Sequence, residues 1–224
     1  MMMTERTEKL IGINGVKRLK ESHVLVLGLG GVGGCVFEML VRAGVGKITA
    51  VDGDVFEESN INRQILCTYR DLGKPKAEVA KARAKLINPA CEVRAVSLRY
   101  GESTRDQILI DSYDYAADCI DSVRDKTDFI LECRKRGVPV ISAMGAGNRL
   151  TADFTAADIF STSGDGLARV MRKKLRDEGV TELEVVYSQD AALGVDGAVG
   201  SISYAPNAAG CTLAQRIILG LLCK

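Results

Sequence analysis

The sequence predicts an α/β fold: a Rossmann-like, mostly parallel sheet with flanking helices and an antiparallel extension in the C-terminal third. Short apolar runs alternate with helical segments through the first two thirds of the chain, as βαβ units require. A glycine-rich turn joins the first of these runs to the first helix. Because 224 residues with 46% hydrophobic content suffice for one sizeable core, we expect a single domain over 1–224, with halves of about 1–143 and 144–224.

The elements of the first half are predicted from two periodicities. Apolar and β-branched runs predict strands at 23–28, 47–52, 91–96, 113–118 and 138–142. Between them, apolar residues that recur every three or four positions predict helices near 31–43, 75–87, 103–110 and 122–136. Parallel strands need crossover connections of this kind.

The second half has a weaker alternation. Strands are predicted at 149–156, 182–187 and 201–205, without obvious parallel crossovers, and we therefore expect an antiparallel extension there. A loop signal at 161–166 precedes a predicted helix at 167–178, and the apolar stretch 213–223 is predicted to be a packed helix.

Charge is balanced over the whole chain, with 30 Lys and Arg against 29 Asp and Glu. A net charge of +1 provides no general attraction to nucleic acid or to an acidic membrane, so any site for a polyanion must be local. The helix at 167–178 carries the candidate cations Arg169, Arg172, Lys173, Lys174 and Arg176. Such a run is usually a solvated face, and the alternative is a contact with phosphates.

The seven cysteines argue against extracellular or zinc-dependent folding. Their number is odd, their spacings are unrelated, and no Cys-x-x-Cys pair occurs, which disfavours a disulfide framework and a structural zinc site. The first nine residues are polar, and no apolar run approaches the roughly 18 residues that span a bilayer. We therefore expect a cytoplasmic protein with no membrane partner, and His23 is expected to be structural or exposed rather than catalytic.

The glycine-rich turn predicts a nucleotide site in the first half. Gly28, Gly30, Gly31 and Gly33 follow the first strand and open the first helix, a context in which backbone amides can approach a phosphate. Asp52 ends the next strand about 20 residues on, where a carboxylate that holds a ribose belongs. A purely structural turn is the alternative, and a nicotinamide cofactor would use the same two features.

The residues that follow favour phosphate chemistry over hydride transfer. They lie near the carboxyl ends of predicted strands or in the loops after them: Asp54, Asn60, Arg63, Gln64, Lys76 and Asp121. Arg and Lys neutralise polyphosphate oxygens, and a carboxylate can hold the Mg²⁺ that bridges them. Taken singly, each has a structural alternative, such as a surface ion pair for Arg63 or a helix cap for Asp121. Together they favour ATP with Mg²⁺.

Five segments of the chain resemble the ubiquitin-activating-enzyme-like adenylyltransferases. They are Gly28-x-Gly-Gly-x-Gly33, Asp52-x-Asp54, Ser59-Asn-x-Asn-Arg63-Gln64, Lys74-Pro-Lys76 and Asp118-x-x-Asp121. The resemblance implies that Asp52 holds the ribose and that Asn60, Arg63 and Lys76 contact the phosphates. It also implies that Asp121 assists Mg²⁺ and in-line attack, which makes Arg63, Lys76 and Asp121 the catalytic set. Finally, it implies a homodimer in which Arg6 reaches the partner's ATP.

Within that superfamily, the chain resembles the tRNA threonylcarbamoyladenosine dehydratases. It lacks paired zinc cysteines and an appended cysteine domain, and the segments 165–168 and 200–206 match this branch. The resemblance implies adenylation of the threonyl carboxylate of the modified tRNA adenosine, followed by ring closure with loss of AMP. Three alternatives stay open: adenylation of the Gly-Gly tail of a sulfur-carrier protein, a dehydrogenase, and a nucleotide-regulated binding protein. A sulfur-relay or carrier protein is a possible partner.

Overall fold

The structure is a computed structural model, and it describes residues 3–194, 196–197 and 199–223. Within these residues the strands form one sheet of seven in the order β3-β2-β1-β4-β5-β7-β6. They are β1 (His23–Leu27), β2 (Lys47–Val51), β3 (Glu92–Val96), β4 (Tyr115–Asp118), β5 (Val140–Ala143), β6 (Thr155–Asp158) and β7 (Glu184–Tyr187). Every neighbouring pair is parallel except β6 with β7. The predicted fold class is confirmed.

Seven α-helices flank the described part of the sheet. They are α1 (Glu5–Glu21), α2 (Gly31–Ala43), α3 (Lys76–Ile87), α4 (Arg105–Ile108), α5 (Val123–Lys135), α6 (Gly166–Asp177) and α7 (Tyr204–Leu222). Ser122 caps α5 by accepting a hydrogen bond from the amide of Asp125, and Asp165 caps α6 through the amide of Ala168. Asp121 is therefore not the cap of α5, which removes the structural alternative for that residue.

The core lies on both faces of the sheet, as a central parallel strand requires. Along β1, Val24 and Val26 belong to one apolar cluster, and Leu25 and Leu27 belong to another on the opposite face. The first cluster packs the sheet against α2, α3 and α7, and the second packs it against α4 and α5. A third cluster joins α6 to α5, β5 and β7. Among the described residues, no helix has the length and apolarity needed to cross a bilayer.

Two strands predicted after residue 143 are wrong: one is mostly displaced, and the other is not a strand. Within 149–156 only the last two residues enter β6, and the Arg149 side chain donates to the carbonyl of Gly145 and the carboxylate of Asp165. The segment 201–205 contains no strand, since α7 begins at Tyr204. Pro206 suits the first turn of a helix, where an amide needs no partner.

The antiparallel extension is smaller than expected. Strand β7 pairs in parallel with β5 and antiparallel only with β6. The segment from β5 to β7, which contains α6, is therefore a crossover between parallel strands that the sequence did not reveal. Helix α1 was also not predicted, because its first residues are polar and Leu19 is the only buried residue of this helix.

Candidate functional site

A cleft of about 710 Å³ opens at the carboxyl ends of the parallel strands. Strands β2 and β3 lie on one side of β1, and β4 and β5 lie on the other, so the strand order reverses between β1 and β4. In open α/β sheets this reversal creates the crevice in which ligands bind. Nine of the twelve predicted site residues line the cleft: Gly28, Gly30, Gly31, Asp52, Asp54, Arg63, Gln64, Lys76 and Asp121. Gly33, Asn60 and Arg6 do not.

The glycine turn forms the floor of the cleft and allows the backbone to approach closely. Gly28 has a φ of 86°, and a Cβ there would lie 2.9 Å from the carbonyl oxygen of Cys119. A Cβ on Gly33 would overlap the carbonyl oxygen of Gly28, so the start of α2 can approach the turn only with glycine at this position. Among the described residues, no side chain caps the start of α2. The amides of its first turn are therefore available to an anion.

Asp52 is locked beside this turn by two backbone amides. Its Oδ2 accepts a hydrogen bond from the amide of Leu29 at 2.7 Å, and its Oδ1 accepts one from the amide of Asp54 at 2.8 Å. Each carboxylate oxygen can accept a second hydrogen bond. The carboxylate is thus oriented and retains capacity for a ribose hydroxyl.

The cation Lys76 is almost fully buried at the cleft, with a side chain only 8% exposed. Its Nζ lies 3.7 Å from Oδ2 of Asp54, whose Oδ1 accepts a 2.7 Å hydrogen bond from Nη2 of Arg99. Asp54 therefore partly neutralises two cations that line the same cleft. Arg99 was missed by the sequence analysis. Its position shortly after β3, at the same edge of the sheet as Asp52, is the signal that could have identified it.

Arg63 reaches the cleft from the turn after β2. Its Nη1 donates to the carbonyl of Ser59 at 2.7 Å and to Oδ1 of Asn62 at 2.9 Å, which leaves its other guanidinium donors for a ligand. Asn60, which the resemblance assigns to the phosphates, also holds this turn. Its Oδ1 accepts from the amide of Glu57 and its backbone carbonyl accepts from the amide of Arg63, so Asn60 stabilises the turn that presents Arg63.

Gln64 is the best-buried polar residue of this turn that lines the cleft, with 5% of its surface exposed. Its Oε1 has no hydrogen-bond partner in the part of the chain that the structure describes. A buried amide oxygen without a partner is costly, so a donor from a bound molecule would stabilise this side chain.

A buried ion pair supports the wall that carries Asp121. The Nζ of Lys126 lies 2.9 Å from Oδ2 of Asp118, and both side chains are fully buried. The same Nζ donates to the carbonyl of Ile120 at 2.9 Å, immediately before Asp121. Burial raises the pKa of the Asp118 carboxyl, while Lys126 and the hydroxyl of Ser142 act in the opposite direction. The spacing of Asp118 and Lys126 along the chain did not reveal this pair, because its structural role depends on the burial of both side chains.

The carboxylates of the cleft fit a magnesium ion that is bound chiefly through a nucleotide. The described residues contain no group of three His, Cys, Asp or Glu side chains that could hold a metal alone. Mg²⁺ commonly takes one or two protein carboxylates and completes its shell with phosphates and water. Asp121, exposed in the cleft wall, is a donor of the right kind.

The opposite wall is held by a second buried ion pair. Nη2 of Arg149 lies 2.9 Å from Oδ2 of Asp165, and both side chains are almost fully buried. Oδ2 of Asp165 also accepts from the amide of Gly145 at 3.1 Å, so the loop after β5 is joined to the start of α6. Gly145 and Leu167 line the cleft. The pair thus fixes a part of the lining that belongs to the second half of the chain, and we call this part the acceptor wall.

Burial disfavours the thiolate form of four cysteines, including the one that lines the cleft. Burial raises the pKa of Cys119, which lines the cleft, to about 12 and that of Cys91 to about 11. It raises the pKa values of Cys35 and Cys133 as well. His23 is buried and hydrogen-bonded through Nε2 to Oγ1 of Thr49 at 2.9 Å, as expected for a structural histidine.

The fold and the cleft together define a nucleotide-binding α/β protein equipped for phosphate chemistry. The ThiF family model matches residues 4–217. The chain is 42% identical over 190 residues to a tRNA threonylcarbamoyladenosine dehydratase of Bacillus subtilis, covering 84% of this chain and 75% of the relative. It is 35% identical over 191 residues to the enzyme of that name from Escherichia coli, covering 85% and 70%.

Solved structures of similar fold include the same enzyme as these sequence relatives. Structures of the Escherichia coli tRNA N6-threonylcarbamoyladenosine dehydratase with AMP and with ATP superpose with TM-scores of 0.92 at 30% identity, covering 97% of this chain and 93% of theirs. The chain belongs to the ThiF family and, within it, to the tRNA threonylcarbamoyladenosine dehydratases.

Proposed function

We propose that this chain uses ATP to adenylate the carboxylate of threonylcarbamoyladenosine in tRNA and then closes the activated group into a ring. The observation that carries this proposal is the cleft at the strand-order reversal, where the glycine turn, Lys76 and Arg63 converge. Relatives of the same fold are described with ATP and with AMP, which are the substrate of the adenylation step and the leaving group of the ring closure.

The residues of the cleft suit distinct parts of ATP. Asp52 is oriented to accept from a ribose hydroxyl, and the amides at the start of α2 suit a phosphate. Arg63 and Lys76 would neutralise the charge that develops on the phosphates as pyrophosphate leaves. Because Lys76 is paired with Asp54 at 3.7 Å, an incoming phosphate has to compete with that carboxylate.

Mg²⁺ would be held by Asp121 together with the phosphates, and when bound it would neutralise the triphosphate. Gln64, with its unpartnered Oε1, would accept from a donor of the nucleotide or of the acceptor. Asn60, which also holds the turn that presents Arg63, would contact the phosphates.

The two chemical steps need no protein nucleophile. An oxygen of the substrate carboxylate attacks the α-phosphorus, and the bond to pyrophosphate breaks. The carbamoyl nitrogen of the same nucleoside then attacks the activated acyl carbon, loses its proton, and expels AMP with the former carboxylate oxygen. Since the attacking nitrogen is already tethered to the acyl group, proximity supplies much of the second step. The raised pKa of Cys119 fits a site without thiol chemistry.

Three further features belong to this proposal. The protein acts in the cytoplasm, and it acts as a homodimer in which Arg6, exposed on α1 and outside its own cleft, reaches the partner's ATP. A sulfur-carrier protein with a Gly-Gly tail is the alternative acceptor, since it would use the same ATP residues. Adenylyltransferases for such carriers share 34% identity with this chain over a shorter stretch of 143 residues.

The test is AMP release from ATP labelled in the α-phosphate, with three acceptors in parallel. These are tRNA that carries threonylcarbamoyladenosine, the same tRNA without the modification, and a carrier protein with a Gly-Gly tail. We expect AMP only with the modified tRNA, together with a cyclised nucleoside that is 18 Da lighter by loss of water. AMP release with the carrier protein alone would replace the proposal by its alternative.

Matched variants test the roles of the cations. Lys76→Ala removes a buried cation, and Lys74→Ala removes an exposed one outside the cleft. A charge-assisted hydrogen bond contributes about 1.5–3 kcal/mol, so Lys76→Ala and Arg63→Ala should each lower kcat/KM by about 10- to 100-fold. Lys74→Ala should leave it unchanged. Equal kcat/KM values for the Lys76 and Lys74 variants would refute the assigned role.

A further inference from the structure

Helix α6 has a cationic outer face opposite its packed face. Ala168, Met171 and Leu175 are buried in the core. The opposite face carries four exposed cations, which are Arg169, Lys173, Lys174 and Arg176. None of the four forms an ion pair with any described residue, although Arg176 lies over the ring of Phe160 at 5.5 Å. With Asp177 as the one carboxylate beside them, the four cations give this face a net positive charge, and we call it the α6 cationic face.

Arg172 does not belong to this face, which corrects the expectation from sequence. Its Nη1 donates to the backbone carbonyl of Thr162 at 2.8 Å and also contacts the Thr162 hydroxyl. The side chain thus joins α6 to the short 3₁₀ turn Ile159–Ser161 and is only half-exposed. Replacing it would disturb packing as well as charge.

The start of α6 is tied to the proposed active site. Asp165 caps the helix through the amide of Ala168 at 2.9 Å and accepts from the amide of Gly145, which lines the cleft. The helix has 12 residues and extends about 18 Å from that point, at 1.5 Å per residue. The α6 cationic face therefore begins beside the acceptor wall of the cleft and leads away from it.

We propose that the α6 cationic face binds the phosphate backbone of the tRNA whose modified nucleoside enters the cleft. This inference rests on the proposed function, and it assigns the surface that holds the rest of the substrate. Cations at positions i and i+4, such as Arg169 and Lys173, stand about 6 Å apart on a helix, so one strand of the tRNA can meet several of them.

Charge complementarity favours RNA over other occupants of this face. The whole chain carries only +1, so a polyanion needs a local cluster of cations. A shallow recess of about 500 Å³ on α6 is lined by Arg169, Val170, Lys173, Lys174 and Asp177. Val170 is the single apolar side chain there, whereas protein interfaces are centred on larger apolar and aromatic anchors.

The experiment compares two double variants with the same change of charge. Lys173→Glu with Lys174→Glu alters the proposed surface. Arg70→Glu with Lys85→Glu alters exposed cations on the opposite side, near α3. The affinity of each full-length protein for the modified tRNA is measured between 50 and 200 mM salt, and its affinity for ATP is measured in parallel.

We expect the α6 variant to lose about tenfold or more in tRNA affinity, and its slope of log affinity against log salt should fall by about 2. Its affinity for ATP and its thermal midpoint should match the wild type, because both side chains are exposed and unpaired. The control variant should retain the wild-type slope.

Two results would overturn the inference while leaving the proposed function intact. They are an unchanged tRNA slope in the α6 variant, and an equal loss in the control variant. Unchanged tRNA binding with a lost interaction with an acidic protein would assign this face to a protein partner. If the wild type releases no AMP with modified tRNA, the proposed function fails, and this inference fails with it.

Discussion

Replacing Lys126 by Met should destabilise the protein, because it removes one partner of the buried ion pair beneath the cleft. The ammonium lies 2.9 Å from Oδ2 of Asp118, both side chains are fully buried, and Met has a similar length without the charge. Two unit charges at this distance interact by about 6 kcal/mol at an effective dielectric constant of roughly 20. Breaking a buried pair by removing one partner typically costs about 3–5 kcal/mol. We therefore expect Lys126→Met to lower the free energy of unfolding by about 3–5 kcal/mol at pH 8.

The loss should depend on pH in a defined direction. Burial raises the pKa of Asp118, and removing Lys126 removes a group that lowers it, so the pKa rises further in the variant. A carboxyl whose pKa is higher in the folded state than in the unfolded state binds more protons when folded. Stability from that group is present at low pH and is lost as pH rises through the folded pKa. The variant should thus be less destabilised at pH 5 than at pH 8.

Urea unfolding at both pH values measures this effect. Lys135→Met on the same helix is the matched control, because its ion pair with Glu132 is 75% exposed at the lysine and should contribute less than about 1 kcal/mol. Adding Asp118→Asn to Lys126→Met should recover part of the loss by removing the stranded charge. A loss below about 1 kcal/mol, or the same loss at pH 5 and pH 8, would refute the reasoning.

Three further outcomes are expected. Gly33→Ala should abolish ATP binding and lower the thermal midpoint, because the added Cβ overlaps the carbonyl of Gly28; binding at wild-type affinity would contradict this. Burial lowers the pKa of His23, so stability should fall as pH drops below about 6.5, and His23→Gln should abolish that fall in urea unfolding at pH 5 and pH 8. Maleimide at pH 7.5 should label exposed Cys211 long before Cys119, whose pKa is raised to about 12, and mass spectrometry of the labelled peptides would detect the reverse order.

The mostly parallel sheet and most of the cleft could be predicted from the sequence. The five strands of the first half are short apolar runs, and all five form close to their predicted positions. Because their carboxyl ends share one edge of the sheet, residues that follow different strands, such as Asp52 and Asp121, meet in one crevice. The phosphate contact of Asn60 stays a prediction, because the same residue also holds the turn that presents Arg63.

Elements that depend on distant packing were predicted poorly. Helix α7 begins at Tyr204, well before its most apolar stretch, because its first turns pack against α2; a Cβ on Gly210 would lie 2.6 Å from Cβ of Cys35. The expected strand at 201–205 was therefore wrong. Arg172 and Lys173 are adjacent and carry the same charge, so the sequence does not distinguish their roles. Arg172 is structural because its guanidinium donates a hydrogen bond to the carbonyl of Thr162.

Local periodicity and short-range spacing are enough to predict most strands and helices, the glycine turn and the residues at the strand ends. Which charges meet depends on how the chain folds. Asp54 bridges Lys76 and Arg99, and Asp118 accepts from Lys126 in the interior. Burial matters most for the pair of Asp118 with Lys126, because removal of water, which the linear sequence does not encode at single positions, strengthens their attraction.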